Sequence, residues 1–265
     1  HEALVTTDFS LEGVHFRRDW HPPDAVGHRC LTRGLSDIAA MGGEPLAAFL
    51  SLALPRKLPQ AWVARFLNGF LKLARQFKVP LAGGDTAESP AGILADIVVL
   101  GSVPRGKAIL RSGARPADRI YVSGELGAAA ATLDLLRRSP KRKLRPADFP
   151  RHFHPLPRLE LGRILREKHL ASAMIDLSDG LSKPFRAPAS INRNKKSISN
   201  SRCTEETITS CCSLRPAPNE FQKNLLVCPL HKSATSRAAN RFSSSTRTAY
   251  AAGWLLKAGN TSPAK

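Results

Sequence analysis

No run of apolar residues in this chain approaches the ~20 that a membrane-spanning helix needs, so no membrane partner is expected. Cysteine is sparse, five in 265 residues, and does not form a disulfide framework. Cys30 stands alone in a helical pattern and reads as a small core residue. Cys203, Cys211, Cys212 and Cys228 invite a zinc reading, but the adjacent Cys211-Cys212 pair lacks the C-x₂₋₄-C spacing of zinc sites. No Ser-His-Asp or Cys-His set stands out as a nucleophile with its base. No internal repeat and no signal peptide are visible. The chain opens at His1 rather than Met, directly into Ala3-Leu4-Val5, and is read as a piece that has lost its natural start.

Acidic residues are also few: 21 against 40 Lys and Arg, a net charge of +19. The imbalance is uneven. Residues 183–265 carry 14 basic residues, 3 Glu and no Asp, or +11, whereas residues 1–182 carry 26 basic and 18 acidic, or +8. A basic chain suits nucleic acid. Here the excess sits in an unpatterned stretch rather than on a face with exposed aromatics, so no nucleic-acid partner is expected.

What is present is an alternation of apolar segments and helical patterns. Ala3 to Thr7 reads as a strand ending at Asp8. Pro22-Pro23-Asp24 reads as a helix start with Asp24 as N-cap, and Val26, Cys30, Leu31, Leu35 and Ile38 keep helical spacing to a stop near Met41-Gly42-Gly43. Leu46 to Leu54 is an apolar strand closed by Pro55. Leu58, Trp62, Phe66, Phe70, Leu73 and Phe77 mark one face of an amphipathic helix, an aromatic stripe that belongs to a core. Val79 to Ala82 reads as a short strand, and Ile93 to Val103 as a strand apolar enough for a sheet covered on both sides. After a basic connection, Ile120 to Ser123 is a strand, Gly124 to Gly127 opens a helix to about Arg138, Pro157 to Lys168 is a helix, and Ala171 to Met174 is a buried strand.

Carboxylates cluster at the ends of these segments: Thr6-Thr7-Asp8, Ser36-Asp37, Gly83-Gly84-Asp85-Thr86 and Ile175-Asp176-Leu177-Ser178-Asp179-Gly180. Taken alone, Asp179-Gly180 could be ordinary Asx-turn chemistry, and a buried Asp37 could be paired with a nearby Arg rather than a metal ion. Four such motifs in one chain suggest hard cations and a nucleotide phosphate, because a carboxylate among small apolar residues such as Asp37 is costly to bury without a partner. Asp8, Asp37, Asp85, Asp176 and Asp179 are therefore expected to meet in one cleft between two domains.

Together with Gly13-Val14-His15-Phe16, Leu35-Ser36-Asp37-Ile38-Ala39-Ala40-Met41-Gly42 and Arg111-Ser112-Gly113-Ala114-Arg115-Pro116, these motifs resemble the thiamine-monophosphate kinase family, in its order, over residues 1–182. The resemblance implies an α/β, two-domain fold like that of aminoimidazole ribonucleotide synthetase, divided as 1–104 and 105–182, with dimerisation through the N-terminal domain. It implies a cytoplasmic enzyme that transfers the γ-phosphoryl group of ATP to thiamine monophosphate. The family's Mg²⁺ ligands fall on Thr6, Thr7, Asp8, Asp37, Asp85, Asp176 and Asp179. Gly84, Asp85, Arg111 and Ser178 fall at nucleotide-contacting positions, and His15 at the position that contacts thiamine. The rival within the fold is another ATP-using member, such as a selenophosphate or aminoimidazole ribonucleotide synthetase.

Two family motifs are missing. A Gly-Asp-Asp metal motif would precede His1. A Gly-Gly-Glu-Asp-Tyr-Glu-Leu motif is absent after Ser182. Codons for Cys203 to Ser213 can be chosen so that a shifted frame spells His-Gly-Gly-Asp-Asp-Tyr-Glu-Leu-Leu-Phe, which points to a frameshift near residue 183. Residues 183–265 are accordingly expected to be a basic, disordered tail, and the chain as it stands to be a poor kinase or inactive. The nucleotide sequence around codon 183 decides the frameshift.

Overall fold

A computed structural model describes residues 1–115, 118–178, 211–214 and 227–229. The first sheet has the order β1-β4-β2-β3, from β1 (Glu2–Leu11), β2 (Glu44–Pro55), β3 (Leu81–Ser89) and β4 (Leu94–Val103). β4 pairs antiparallel with both β1 and β2, while β2 and β3 are parallel. The parallel pair needs a crossover, and α2 (Gln60–Gln76) supplies it.

One face of this sheet is covered by α1 (Pro23–Ala40). Leu31, Leu35 and Ile38 of α1 meet Ala48, Leu50, Ile97 and Val99 in one buried cluster, and Phe66, Phe70 and Leu73 of α2 extend it beyond α1. The aromatic stripe is core, as expected. Helix α1 does not begin as the sequence suggested: Pro22 is the N-cap residue, and Asp24 instead pairs with Arg65 of α2 at 2.6 Å. The cap position is decided by where the α1–α2 contact draws that carboxylate.

The opposite face of the sheet is open, which corrects the expectation of a strand covered on both sides. β4 alternates buried Ala95, Ile97 and Val99 with half-buried Leu94, Asp96 and Val98. Val5 is 69% exposed, Phe9 50% and Leu46 51%, all on that open side.

The second sheet has the order β6-β7-β5-β8, from β5 (Arg119–Ser123), β6 (Ala171–Ile175), β7 (Cys211–Leu214) and β8 (Val227–Pro229), with every pair antiparallel. Its helices are α3 (Ala128–Arg138), the short α4 (Pro150–Phe153) and α5 (Leu159–Glu167). β7 and β8 fall in the segment after Ser182 that is expected to be a disordered tail. β5 and β6 lie with a strand's width between them, and their backbone N–H and C=O groups take partners from β7. Sequence periodicity carries no trace of this, because a strand of three or four residues is too short to show one. The rest of that segment lies outside the described residues.

The chain passes from one sheet to the other against the end of α1. Ile109 N–H donates to Met41 O at 3.1 Å, and α5 packs across α1.

Candidate functional site

Side chains on β1 alternate, so neighbouring residues of Thr6-Thr7-Asp8 point to opposite faces. The motif lies inside β1 rather than at its end, because β4 pairs with the strand as far as Leu11. On the covered face, Thr6 Oγ1 donates a short hydrogen bond to Asp37 Oδ2 of α1. Asp8 meets Arg33 of α1, whose Nη1 lies 3.4 Å from Asp8 Oδ1 and donates to Phe9 O at 2.7 Å. β1 and α1 run side by side in this way, with successive inward residues of the strand meeting successive turns of the helix.

Asp37 is half-buried, and burial raises its carboxyl above the ordinary carboxylate range, against the lowering effects of the Thr6 hydrogen bond and of the Arg111 charge. Arg111 belongs to a 3-10 turn, Arg111–Gly113, in the connection between the sheets. A strand, a helix and a loop from the other half thus bear on one carboxylate.

Thr7 faces the open side and donates to Asp96 Oδ1 at 2.8 Å. Asp96 escaped the sequence reading; its signal is a lone carboxylate in an otherwise apolar strand. In the register of the sheet, Asp96 is opposite Ser51 of β2, and Ser51 is opposite Asp85 of β3. Asp85 is exposed, and its Oδ1 accepts the Thr86 N–H at 2.7 Å. The Gly83 to Thr86 motif therefore lies within β3, not after it.

Gly84 has a steric reason to be glycine. Its φ is +153°, and a Cβ there would sit 1.8 Å from Leu50 O, inside the β2–β3 pairing. His15 is held by its own loop: its Nδ1 accepts the Leu11 N–H at 3.0 Å, and its N–H donates to Leu11 O at 2.8 Å. That arrangement puts the ring proton on Nε2. Asp176 and Ser178 follow β6 and are half-buried, while Asp179 lies outside the described residues.

The expected convergence is thus partial. Thr6, Asp8 and Asp37 share the covered face with the Arg111 charge close by, whereas Thr7 and Asp85 belong to the other side. Among the described residues no three His, Cys, Asp or Glu side chains gather as a metal cluster. Cys30 is buried and free, and burial pushes its thiol up to about 12, in keeping with its core reading.

Residues 1–103 match the family described as AIR synthase related protein, N-terminal domain, which defines the class of fold. The thiamine-monophosphate kinase of Escherichia coli K12 is 40% identical over 180 residues, covering 67% of this chain and 54% of that protein. The crystal structure of thiamine monophosphate kinase from Aquifex aeolicus is 30% identical with a TM-score of 0.68, covering 82% of both chains. The structure of AaThiL complexed with AMPPCP and TMP is 35% identical with a TM-score of 0.62, covering 68% of this chain and 57% of that one. The chain belongs to the thiamine-monophosphate kinase family and has the aminoimidazole ribonucleotide synthetase-like fold. It spans about half the length of the curated relatives it matches.

Proposed function

We propose that this chain carries out ATP-dependent phosphorylation of thiamine monophosphate to thiamine diphosphate, using Mg²⁺. The observation that carries the reading is the Thr6–Asp37 pair, with Asp8 further along the same strand face and the Arg111 charge acting on Asp37. These are positions at which the resemblance implies metal and nucleotide contacts. The relative described as complexed with AMPPCP and TMP supports a site for two phosphorylated ligands.

The donor set fits a hard divalent ion. Its groups are oxygens, and Mg²⁺ takes only one or two protein carboxylates and keeps several waters. Asp37 is half-buried and burial opposes its charge, so a cation there would offset the cost. Asp37, Asp8 and Thr6 would hold the ion on the covered face, with Asp176, which follows β6, as a further donor; Thr7 and Asp85 face the other side of the sheet and would not reach it. Bound Mg²⁺ would neutralise charge on the phosphates. Arg111 would orient phosphate oxygens through its forked donors, Gly84 and Ser178 would face the nucleotide, and His15 would meet the thiamine end. The acceptor phosphate is already a nucleophile, so no general base is needed, and the residues' task is to fix donor and acceptor in line.

Calorimetry with AMPPCP and Mg²⁺, followed by chromatographic detection of thiamine diphosphate from ATP and thiamine monophosphate, tests the reading. Saturable nucleotide binding is expected, with thiamine diphosphate formed far more slowly than by a frame-restored chain. A chain that binds no nucleotide overturns it.

The same reading divides the chain near residue 104, places the enzyme in the cytoplasm where ATP is available, and makes it a homodimer through the open sheet face. Among the described residues no helix is long and apolar enough to cross a membrane. Val5, Phe9, Leu46 and Phe49 form an apolar surface on a sheet that is covered only on its other side, and a second copy would bury it. Phe9→Asp should convert a dimer into a monomer in light scattering while leaving the circular dichroism unchanged. A wild-type chain that is already monomeric removes the dimer.

A further inference from the structure

We propose that Asp118 is a positioning residue for Arg111, acting with Ser172 to pin the Arg111–Gly113 turn to β6. The proposal rests on the nucleotide-binding reading above. The connection that carries Arg111 is tied at both ends. Upstream, Ile109 is bonded to Met41 at the end of α1, and its side chain is buried with Tyr121, Leu165 and Met174. Downstream, Asp118 Oδ2 accepts from Ser172 Oγ at 2.6 Å and from the Arg115 N–H at 2.9 Å. Between these ties the turn presses on the same residue of β6: a Cβ at Gly113 would sit 2.0 Å from Ser172 O. Ser172 thus meets the turn with its backbone and Asp118 with its hydroxyl.

A turn-forming role explains only half of this. The Arg115 N–H bond and the Asp118 N–H to Arg115 O bond at 3.1 Å close a local loop, in which the Asp118 side chain accepts from the backbone three residues back. The bond to Ser172, 54 residues away, is not needed for that loop. It anchors the turn to a strand of the second sheet. Arg111 itself is exposed, and an arginine side chain has much rotamer freedom to lose. Fixing its backbone narrows where the guanidinium can be, which is what a charged contact with a phosphate requires. Its charge already reaches Asp37 from this position.

The test uses the full chain with AMPPCP and Mg²⁺ as the probe. Ser172→Ala removes the anchoring bond and keeps the local turn. It should weaken AMPPCP binding about tenfold, the scale of one lost charge-positioning contact, and raise hydrogen exchange in residues 109–115 without raising it in β4. Asp118→Ala should do the same and Asp118→Asn, which keeps an acceptor oxygen, should restore binding. In an Arg111→Met background, Ser172→Ala should cost nothing further. An equal loss in that background overturns the proposal, as does unchanged binding or unchanged exchange in 109–115 when Arg111 is present. A wild-type chain that binds no AMPPCP overturns the nucleotide reading and this proposal with it; a loss that is independent of Arg111 overturns this proposal alone.

Discussion

In a frame-restored enzyme Asp37→Asn will cut phosphoryl transfer by about a hundredfold or more, and in this chain it will stabilise the fold at neutral pH. Both effects follow from one carboxylate. Asp37 sits where α1 meets β1, accepts the Thr6 hydroxyl, and has its carboxyl raised by burial. A raised folded-state value means that the native state binds more protons than the unfolded chain. Its contribution to stability is therefore present below the unfolded value of 3.8 and is lost as pH climbs through the folded value. At neutral pH the ionised side chain is a cost, which an amide of the same shape does not carry, and the amide oxygen still accepts from Thr6. The variant should melt higher than wild type at pH 7, with the difference vanishing in strong acid. The catalytic loss follows because an amide cannot neutralise a divalent ion. A variant with normal turnover removes Asp37 from the metal site, and a melting temperature below wild type at pH 7 refutes the burial argument.

The second large effect is a steep loss of stability between pH 7 and pH 5. Four histidines meet where α1 and the loop before it pack on α4 and its neighbours. His21 Nε2 lies 3.0 Å from His152 Nε2, and His28 Nε2 donates to Pro155 O at 2.8 Å. His154 stands edge-on to His28 at 5.1 Å between ring centres. Burial, followed by the Arg29 charge, lowers His21 to about 3 and His152 to about 2. Burial also lowers His28 to about 4, helped by His154, Lys72 and Arg29. His154 is lowered by burial, with Asp24 opposing and Lys72 assisting. Arg17 contributes a backbone oxygen to His21 rather than a charge.

Lowered folded values give the opposite sign from Asp37. The stabilisation is full above the ordinary histidine value of 6.5 and is lost as pH falls toward the folded values. By pH 5 each of the three most buried rings costs about 2 kcal/mol, and together they approach the whole stability of a small domain, about 5–15 kcal/mol. Urea midpoints measured across this range should fall steeply, and His152→Phe should flatten the slope by close to one proton. A midpoint that holds constant from pH 7 to pH 5 refutes the account.

Much of the fold was legible in the residues. The fourfold spacing of Trp62, Phe66 and Phe70 required a helix with a buried face, and α2 buries both phenylalanines. The order of the carboxylate motifs along the chain was enough to point to the family. The Leu94–Val103 strand was legible as a strand, but not as one covered on a single side. That depends on α1 lying across one face only, which no local pattern records.

The same contact decided the site. Thr6 and Thr7 are neighbours of the same type in the sequence, yet one bonds Asp37 on α1 and the other Asp96 on β4. Alternation along a strand is a local property and could be read from the chain. Which of the two alternating faces receives the helix is set by burial of α1's apolar stripe, a contact between residues 31 positions apart for the Thr6–Asp37 pair. The His21–His152 contact spans 131 positions and the anchoring of Asp118 by Ser172 spans 54. Composition and spacing determined which elements form and which residues could carry the chemistry. Only the tertiary structure decided which of those residues meet, because that meeting is stabilised by apolar area buried between segments far apart in the chain.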